Sequence, residues 1–270
     1  MYGEQAYELT VLPGTTKNGE KEGFDRILIR LGDTLSIVGP TGSGKSAFIN
    51  DIEVLAQNDT VTGRSILVNG EEPSADLVRD PSKKPIALIT QNTRVIADLS
   101  VTRFLAVHLQ ARNTGSDSLI DSTIALANEF TGEKIAGEMR MTGLSGGQTR
   151  SLLIADAILI GQTPILLLDE IENAGINKER VITCLRDYKK AVIFVTHDPY
   201  IALITDRRIV MKNGAVATVL EPDGSERDII DTVAGMDVFL WDLREKIRSG
   251  ELMGNCKKIS PVPKKAGLIA

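Results

Sequence analysis

Four short runs of the chain are almost continuously apolar: TLSIVG (Thr34–Gly39), IALIT (Ile86–Thr90), PILLLD (Pro164–Asp169) and AVIFVT (Ala191–Thr196). A strand with one wet face alternates apolar and polar residues. These runs do not, so they predict strands covered on both faces, the pattern of a parallel sheet flanked by helices. Longer helical patterns separate them. The N-terminal part differs: QAYELTVL, DRILIRL and RSILVNG are divided by polar, glycine-containing stretches such as PGTTKNGEKEG. They predict antiparallel strands at one side of the sheet. From Val101 to about Met141 the pattern is helical, without a strong strand signal.

Near the end, SERDIIDTVAGMDVFLWDLREKI opens with Ser225 and has Asp228 three residues later, which resembles a capping box. Ile229, Val233, Met236, Leu240, Leu243 and Ile247 follow at spacings of 4, 3, 4, 3 and 4, which is one helical face. A helix packed on its own domain is the plain reading, and a contact with a partner or a second copy is the sharper one. Lys257, Lys258, Lys264 and Lys265 give a basic tail whose plain reading is a solvated segment.

Composition narrows the field. Hydrophobic residues make up 42% of the 270 and charged residues 25%, enough apolar material for the core of an ordinary globular protein. The formal net charge of −5 weighs against general nucleic-acid binding. Cys184 and Cys256 form neither a disulfide framework nor a metal-ligand spacing, which fits a reducing compartment. MYGEQAYELT lacks the pattern of a secretory signal, and no window reaches the ~20 apolar residues of a membrane span. The expectation is a cytoplasmic protein that leaves any membrane crossing to another polypeptide.

GPTGSGKS follows the first apolar run and precedes the helical AFINDIEVLA. It fits G-x-x-x-x-G-K-[ST] in the strand–loop–helix setting that motif needs. Glycines let successive backbone N–H groups face inward and make an anion nest at a helix N-terminus. Lys45 then supplies a cation for the β- and γ-phosphates of a nucleotide, and the Ser46 hydroxyl a Mg²⁺ ligand. A plain glycine-rich turn is the weaker reading. Downstream, Asp169 ends a buried strand, where it can reach the metal, and Glu170 leaves at a different angle, suited to orienting or deprotonating a water. Two strand-end acids facing solvent would be the alternative without the phosphate loop upstream.

LSGGQTRSLLIADAIL (Leu144–Leu159) reads as a helix opened by Ser145 and two glycines, a second anion site. A phosphate loop with LSGGQ resembles the ATP-binding-cassette (ABC) ATPases. Gln91 after IALIT matches that family's Q-loop glutamine, and His197 in THDP its switch histidine. TGRSILVNG, DLSVTRFL and DRRIVMKNGAV also resemble stretches of the cassette, so the likeness runs from about Tyr7 to Val219. It implies an α/β P-loop NTPase with a central mostly parallel sheet, an N-terminal antiparallel β subdomain and an inserted helical subdomain. The ATPase domain would span 1–222, with the helical subdomain at about 92–150, followed by a C-terminal helix and basic tail at 223–270.

Position by position, the resemblance implies that Gly39, Pro40, Thr41, Gly42, Ser43, Gly44, Lys45 and Ser46 hold the phosphates of ATP. Ser46, Gln91 and Asp169 would arrange Mg²⁺ and its waters, Glu170 would be the catalytic base, and His197 would contact the γ-phosphate. Ser145, Gly146, Gly147 and Gln148 would close over an ATP bound to a second copy, giving a head-to-tail dimer with two sandwiched nucleotides. His108 carries no such likeness and reads as structural.

Two departures stand out. After the paired acids the family usually runs Pro-Thr-Ser-Ala-Leu-Asp. Here Ile171 takes the proline's place and Ile176 the aspartate's, so coupling across the dimer is either atypical or merely a subfamily variation. The aromatic that normally stacks on adenine is also displaced: Tyr7 is early for it and Phe24 late, with Tyr7 the favoured candidate. The implied function is the ATP-hydrolysing subunit of a membrane transporter, peripheral on the cytoplasmic face and acting on a separate integral permease. The alternative is a soluble ABC ATPase that remodels or activates a macromolecule. A P-loop kinase or GTPase has no need of LSGGQ.

Overall fold

The structure, a computed structural model, describes residues 7–80, 83–112 and 116–252. Strands β1 (Glu8–Leu12) and β2 (Ile27–Arg30) open the chain, β3 (Thr34–Val38) leaves them for a second sheet, and β4 (Ser65–Val68) returns. β1, β2 and β4 form an antiparallel sheet in the order β2-β1-β4. The predicted antiparallel strands therefore make a sheet of their own rather than an extension of the parallel one. The larger sheet adds β5 (Ile86–Ile89), β6 (Ile165–Asp169), β7 (Ala191–Val195), β8 (Arg207–Lys212) and β9 (Ala215–Leu220) in the order β5-β6-β7-β3-β8-β9. Its first five strands run parallel, and β9 folds back antiparallel on β8.

Burial explains the continuous apolar runs. In β6, Ile165 and Leu167 join one hydrophobic cluster, while Leu166 and Leu168 join another on the opposite face. β7 divides in the same way, with Ile193 and Val195 on one side and Val192 and Phe194 on the other. Strand side chains alternate between faces, so a strand covered on both sides must be apolar at every position. Each of these side chains stabilises the fold by roughly 1.5–3 kcal/mol.

One cluster lies between the two sheets and contains Phe48, Ile49 and Ile52 of α1 (Lys45–Val54). After the short α2 (Ala75–Arg79), α3 (Val101–Arg112), α4 (Ser118–Phe130) and α5 (Gly146–Leu159) bring residues to the other cluster, and α6 (Lys178–Asp187) and α7 (Pro199–Ile204) complete it. The predicted helical region thus corresponds to α3 and α4. His108 of α3 meets Asp156 of α5 at 2.7 Å, a structural role as expected. That hydrogen bond pushes the His108 pKa up, against the opposing effects of burial and Arg112.

The polar stretch PGTTKNGEKEG is an anchor. Its Glu22 accepts from Arg64 at 2.7 Å, and Arg64 also donates to Asp51 of α1 at 2.9 Å, with Arg64 and Glu22 fully buried. Glu22 further accepts the amides of Gly14 at 3.0 Å and Val216 at 2.8 Å. Burial alone would raise the Glu22 carboxyl, but the Arg64 bond and the two amides outweigh it and hold the group below its usual range. Arg64 also lies 4.9 Å above the Phe48 ring. One guanidinium thereby joins the first loop, α1, β4 and, through Glu22, the start of β9. Removing one member of such a set leaves a buried charge unpaired, at a cost of about 3–5 kcal/mol.

The final helix, α8 (Gly224–Arg248), packs against α7. Its predicted apolar face is only partly covered: Val233, Met236 and Leu243 are half-buried, and Ile229, Leu240 and Ile247 are exposed. The side chains of Ser225 and Asp228 and the lysines of the tail lie outside what is described, as does Cys256. Cys184 is buried, and burial pushes its thiol up to about 11, which makes it an unreactive core residue.

Candidate nucleotide site

β3 delivers the chain into the loop Gly39–Ser46 at the carboxyl edge of the parallel sheet, where ligands of such sheets bind. The glycines are demanded by close approach. At Gly39 (φ 151°) a Cβ would lie 2.4 Å from the Met211 carbonyl oxygen, and at Gly44 (φ 102°) 2.9 Å from Gly214 Cα. The β8–β9 turn thus backs the loop, with the Gly214 amide donating to the Ser43 carbonyl at 2.9 Å. α1 starts at Lys45 without a side-chain cap, so its first N–H groups are directed at the loop's opening. Lys45 Nζ donates to the carbonyls of Gly39 (2.7 Å) and Pro40 (3.2 Å). Pro40, Thr41, Gly42 and Ser46 are exposed, while Ser43 is buried and its hydroxyl lacks a hydrogen-bond partner.

β6 and β7 are adjacent to each other, and β7 pairs with β3, so one register line crosses Asp169, Val195 and Ile37. Asp169, Glu170 and His197 therefore leave the sheet beside the loop. Glu170 Oε1 lies 3.7 Å from His197 Nε2. Glu170 takes a left-handed backbone, φ 49°, which is uncommon for a residue with a side chain and turns it away from the strand direction. Its amide is held by the Val195 carbonyl at 2.9 Å. This accounts for the different exit angles expected for the two acids.

Burial raises the Asp169 carboxyl pKa above the usual range, and the nearby charges of Glu170 and Glu172 add to this, against Lys45 and His197. A cation placed among these acids would relieve that excess of negative charge. Among the described residues no three His, Cys, Asp or Glu side chains converge on one point. The donor set of one carboxylate and one hydroxyl fits Mg²⁺, which keeps phosphate and water ligands instead of entering an all-protein cage.

Gln91 follows β5, one strand beyond Asp169, and its carbonyl accepts from the Arg150 guanidinium. Arg150 is buried in α5, so the Gln91 segment and the LSGGQ helix are in direct contact. Ser145 caps α5 as predicted: its hydroxyl accepts the Gln148 amide at 3.2 Å, and the Gln148 side chain accepts the Ser145 amide at 2.8 Å. The Ser145 hydroxyl also donates to Glu133 at 2.6 Å. Ser145, Gly146 and Gly147 line a cleft to which no residue of the Gly39–Ser46 loop contributes. The two anion sites of the chain thus open separately.

Sequence reasoning overlooked three contributors. Glu172 accepts from the Thr196 hydroxyl at 2.7 Å and from the His197 amide at 3.1 Å. It was visible as the third acid of DEIE, but only the first two had a family counterpart. Lys178 contacts Asp198 at 2.6 Å and Asp237 of α8 at 2.7 Å, joining the histidine loop to the last helix. Lys17 lies across Gly214 and donates to the Gly42 carbonyl at 3.4 Å. The aromatic candidates are placed differently: Tyr7 and Phe24 pack against the core between the sheets. Tyr7 sits at the opposite end of β1 from the loop that carries Lys17. Ile171 and Ile176 are both buried in the helical-side core, and Ile176 bridges to Thr131. Apolar residues at those positions anchor the segment inward.

Residues 26–173 match the model of a family described as ABC transporter. An uncharacterized ABC transporter ATP-binding protein of Methanocaldococcus jannaschii is 47% identical over 244 residues, covering 90% of this chain and 94% of that one. An energy-coupling factor transporter ATP-binding protein of Streptococcus pyogenes is 30% identical over 216 residues, 77% of this chain and 75% of that one. Among solved structures, an ATP-binding cassette captured as a dimer in a post-hydrolysis state with ADP and Pi superposes with a TM-score of 0.60. It shares 24% identity and covers 80% of this chain and 99% of its own, a likeness of fold.

Proposed function

The chain belongs to the ABC transporter family, and on that premise we propose that it is the ATP-binding, ATP-hydrolysing subunit of a transporter. It works as a dimer with a separate integral permease, from the cytoplasmic face of the membrane. Among the described residues no helix is long and apolar enough to cross a membrane. One observation supports this reading most: the phosphate loop with Asp169, Glu170 and His197 forms one half-site, and the Ser145 turn opens into a different cleft. Two copies arranged head to tail bring unlike halves together.

In this reading Gly39–Ser46 wraps the phosphates, and Lys45 exchanges the carbonyls of Gly39 and Pro40 for phosphate oxygens. Ser46, Asp169 and Gln91 would hold Mg²⁺, which would supply positive charge against the phosphates. Glu170 orients the attacking water and accepts its proton. His197, next to Glu170, donates towards the γ-phosphate. Ser145, Gly146, Gly147 and Gln148 present their helix N-terminus to the nucleotide of the other copy.

Affinity purification of the native protein from solubilised membranes tests the assignment. Recovery of a polytopic membrane protein in stoichiometric amount is expected. Recovery of a soluble enzyme or macromolecular complex in its place contradicts the transport role.

A further inference from the structure

Arg150 stands one turn into α5, four residues after Gly146 and on the same face of the helix. Helical side chains lean towards the N-terminus, so its guanidinium reaches back to the start of α5. The glycine leaves room for it. A Cβ at Gly146 would lie 3.3 Å from Arg150 Nη2 and 3.7 Å from both Nη1 and Cζ. The cation thus rests against the first residue of the helix, where the backbone itself favours an anion. Arg150, Ser145, Gly146 and Gly147 line one cleft of about 970 Å³.

The charge of this side chain is poorly matched within the chain. Arg150 is 8% exposed, and its Nε is buried without a hydrogen-bond partner. Nη2 donates only to an uncharged group, the Gln91 carbonyl. Burial pushes the guanidinium pKa down, so an anion beside it would stabilise the charged form. Two acids of the cleft are already engaged, Glu129 with Arg180 and Asp237 with Lys178. A third, Glu133, accepts the Ser145 hydroxyl at 2.6 Å through an exposed side chain that can give way. A carboxylate oxygen therefore already occupies the position at Ser145 that a stronger anion would take.

We propose that Arg150 is a ligand for the terminal phosphate of the nucleotide held by the other copy, and that it gives up the Gln91 carbonyl to bind it. This rests on the function proposed above, which brings that nucleotide to the Ser145 turn. A phosphate oxygen supplies the acceptor that Nε lacks, and a guanidinium meets phosphate through two parallel N–H donors. The exchange has a second effect. Gln91 belongs to the site of its own chain, so the nucleotide of one copy releases the Gln91 segment of the other.

The test uses the full chain with Glu170→Gln as parent, in ATP and Mg²⁺, with dimerisation followed by sedimentation velocity. Adding Arg150→Gln is expected to weaken the dimer by about tenfold or more, and Arg150→Lys to recover part of the loss. Binding of a fluorescent ATP analogue to the monomer should stay as in the parent, because the phosphate loop opens elsewhere. The Arg150 Nε–H resonance, assigned by its loss in Arg150→Lys, reads the contact in the parent itself. It should move when ATP is added and stay in place with ADP. A dimer of unchanged affinity in Arg150→Gln overturns the role of Arg150 alone. So does an Nε–H resonance unmoved in the ATP dimer, or a loss of nucleotide binding by the Arg150→Gln monomer. A parent that remains monomeric in ATP overturns the sandwich itself and this inference with it.

Discussion

The carboxylate of Glu172 accepts the amide of His197 at 3.1 Å, and the same oxygen takes the Thr196 hydroxyl at 2.7 Å. One side chain thus connects the turn after Glu170 to the loop after β7. Its second oxygen is buried without a hydrogen-bond partner, so the contact is held although only half of the carboxylate is satisfied. The 3.7 Å separation of Glu170 from His197 depends on both segments keeping their places. Glu172→Ala should lower the ATPase kcat by on the order of tenfold while leaving ATP affinity near that of the wild type, because no phosphate contact is lost. Steady-state kinetics with a parallel binding assay decide this. An unchanged kcat would show that the histidine loop needs no such tether.

At the mouth of the P-loop the chain offers a cation where a stacking ring was expected. Lys17 covers Gly214 and reaches the Gly42 carbonyl at 3.4 Å, whereas Tyr7 and Phe24 are half-buried against the core between the sheets. Lys17→Ala should weaken ATP binding roughly fivefold at low salt, and less at high salt, since the contact is exposed. Tyr7→Ala should alter stability more than nucleotide affinity. Titrations of both variants at two ionic strengths separate these roles. Loss of ATP affinity in the Tyr7 variant alone would restore the ring to the site.

Ile176 stands where the family usually has an aspartate, and here it is 6% exposed and packed in the core. A carboxylate at that position would be buried without a partner. Ile176→Asp should lower stability by roughly 2–4 kcal/mol in denaturant unfolding. A stable variant with raised ATPase cooperativity would instead mean that the segment swings outward and that the missing acid alone weakened cross-subunit signalling.

The pairing of His108 with Asp156 makes the attachment of α3 to α5 sensitive to pH. The hydrogen bond to Asp156 raises the folded-state pKa of His108 above its ordinary 6.5, with burial and Arg112 opposing. A group raised on folding contributes fully below its unfolded pKa, and that contribution is lost as pH rises through the folded value. The melting-temperature advantage of the wild type over Asp156→Asn should therefore shrink from pH 6 towards pH 9. A gap that stays constant over that window would remove His108 from the account.

What the letters revealed and what they concealed have physical causes. The parallel strands were legible because β6 and β7 are buried on both faces and so show no alternation. The Gly39–Ser46 loop, Asp169, Glu170 and the Ser145 cap were legible because each is written in neighbouring residues at a strand end or a helix start. The Glu22–Arg64–Asp51 set was not. Glu22 and Arg64 are 42 residues apart, and a buried charge has the same letter as a solvated one. PGTTKNGEKEG accordingly read as a polar loop when its last acid is an anchor. Lys178 was hidden for a similar reason, since its partners Asp198 and Asp237 belong to segments that meet only after α7 and α8 pack.

A nucleotide held by Lys45 and its loop is expected to join one copy to the Ser145 helix of another. Sedimentation velocity of the Glu170→Gln variant, with and without ATP and Mg²⁺, measures it directly. A monomer is expected without nucleotide, and with ATP a dimer that reverts when ADP replaces it. ATP bound at the loop of a chain that stays monomeric at micromolar concentration would contradict it.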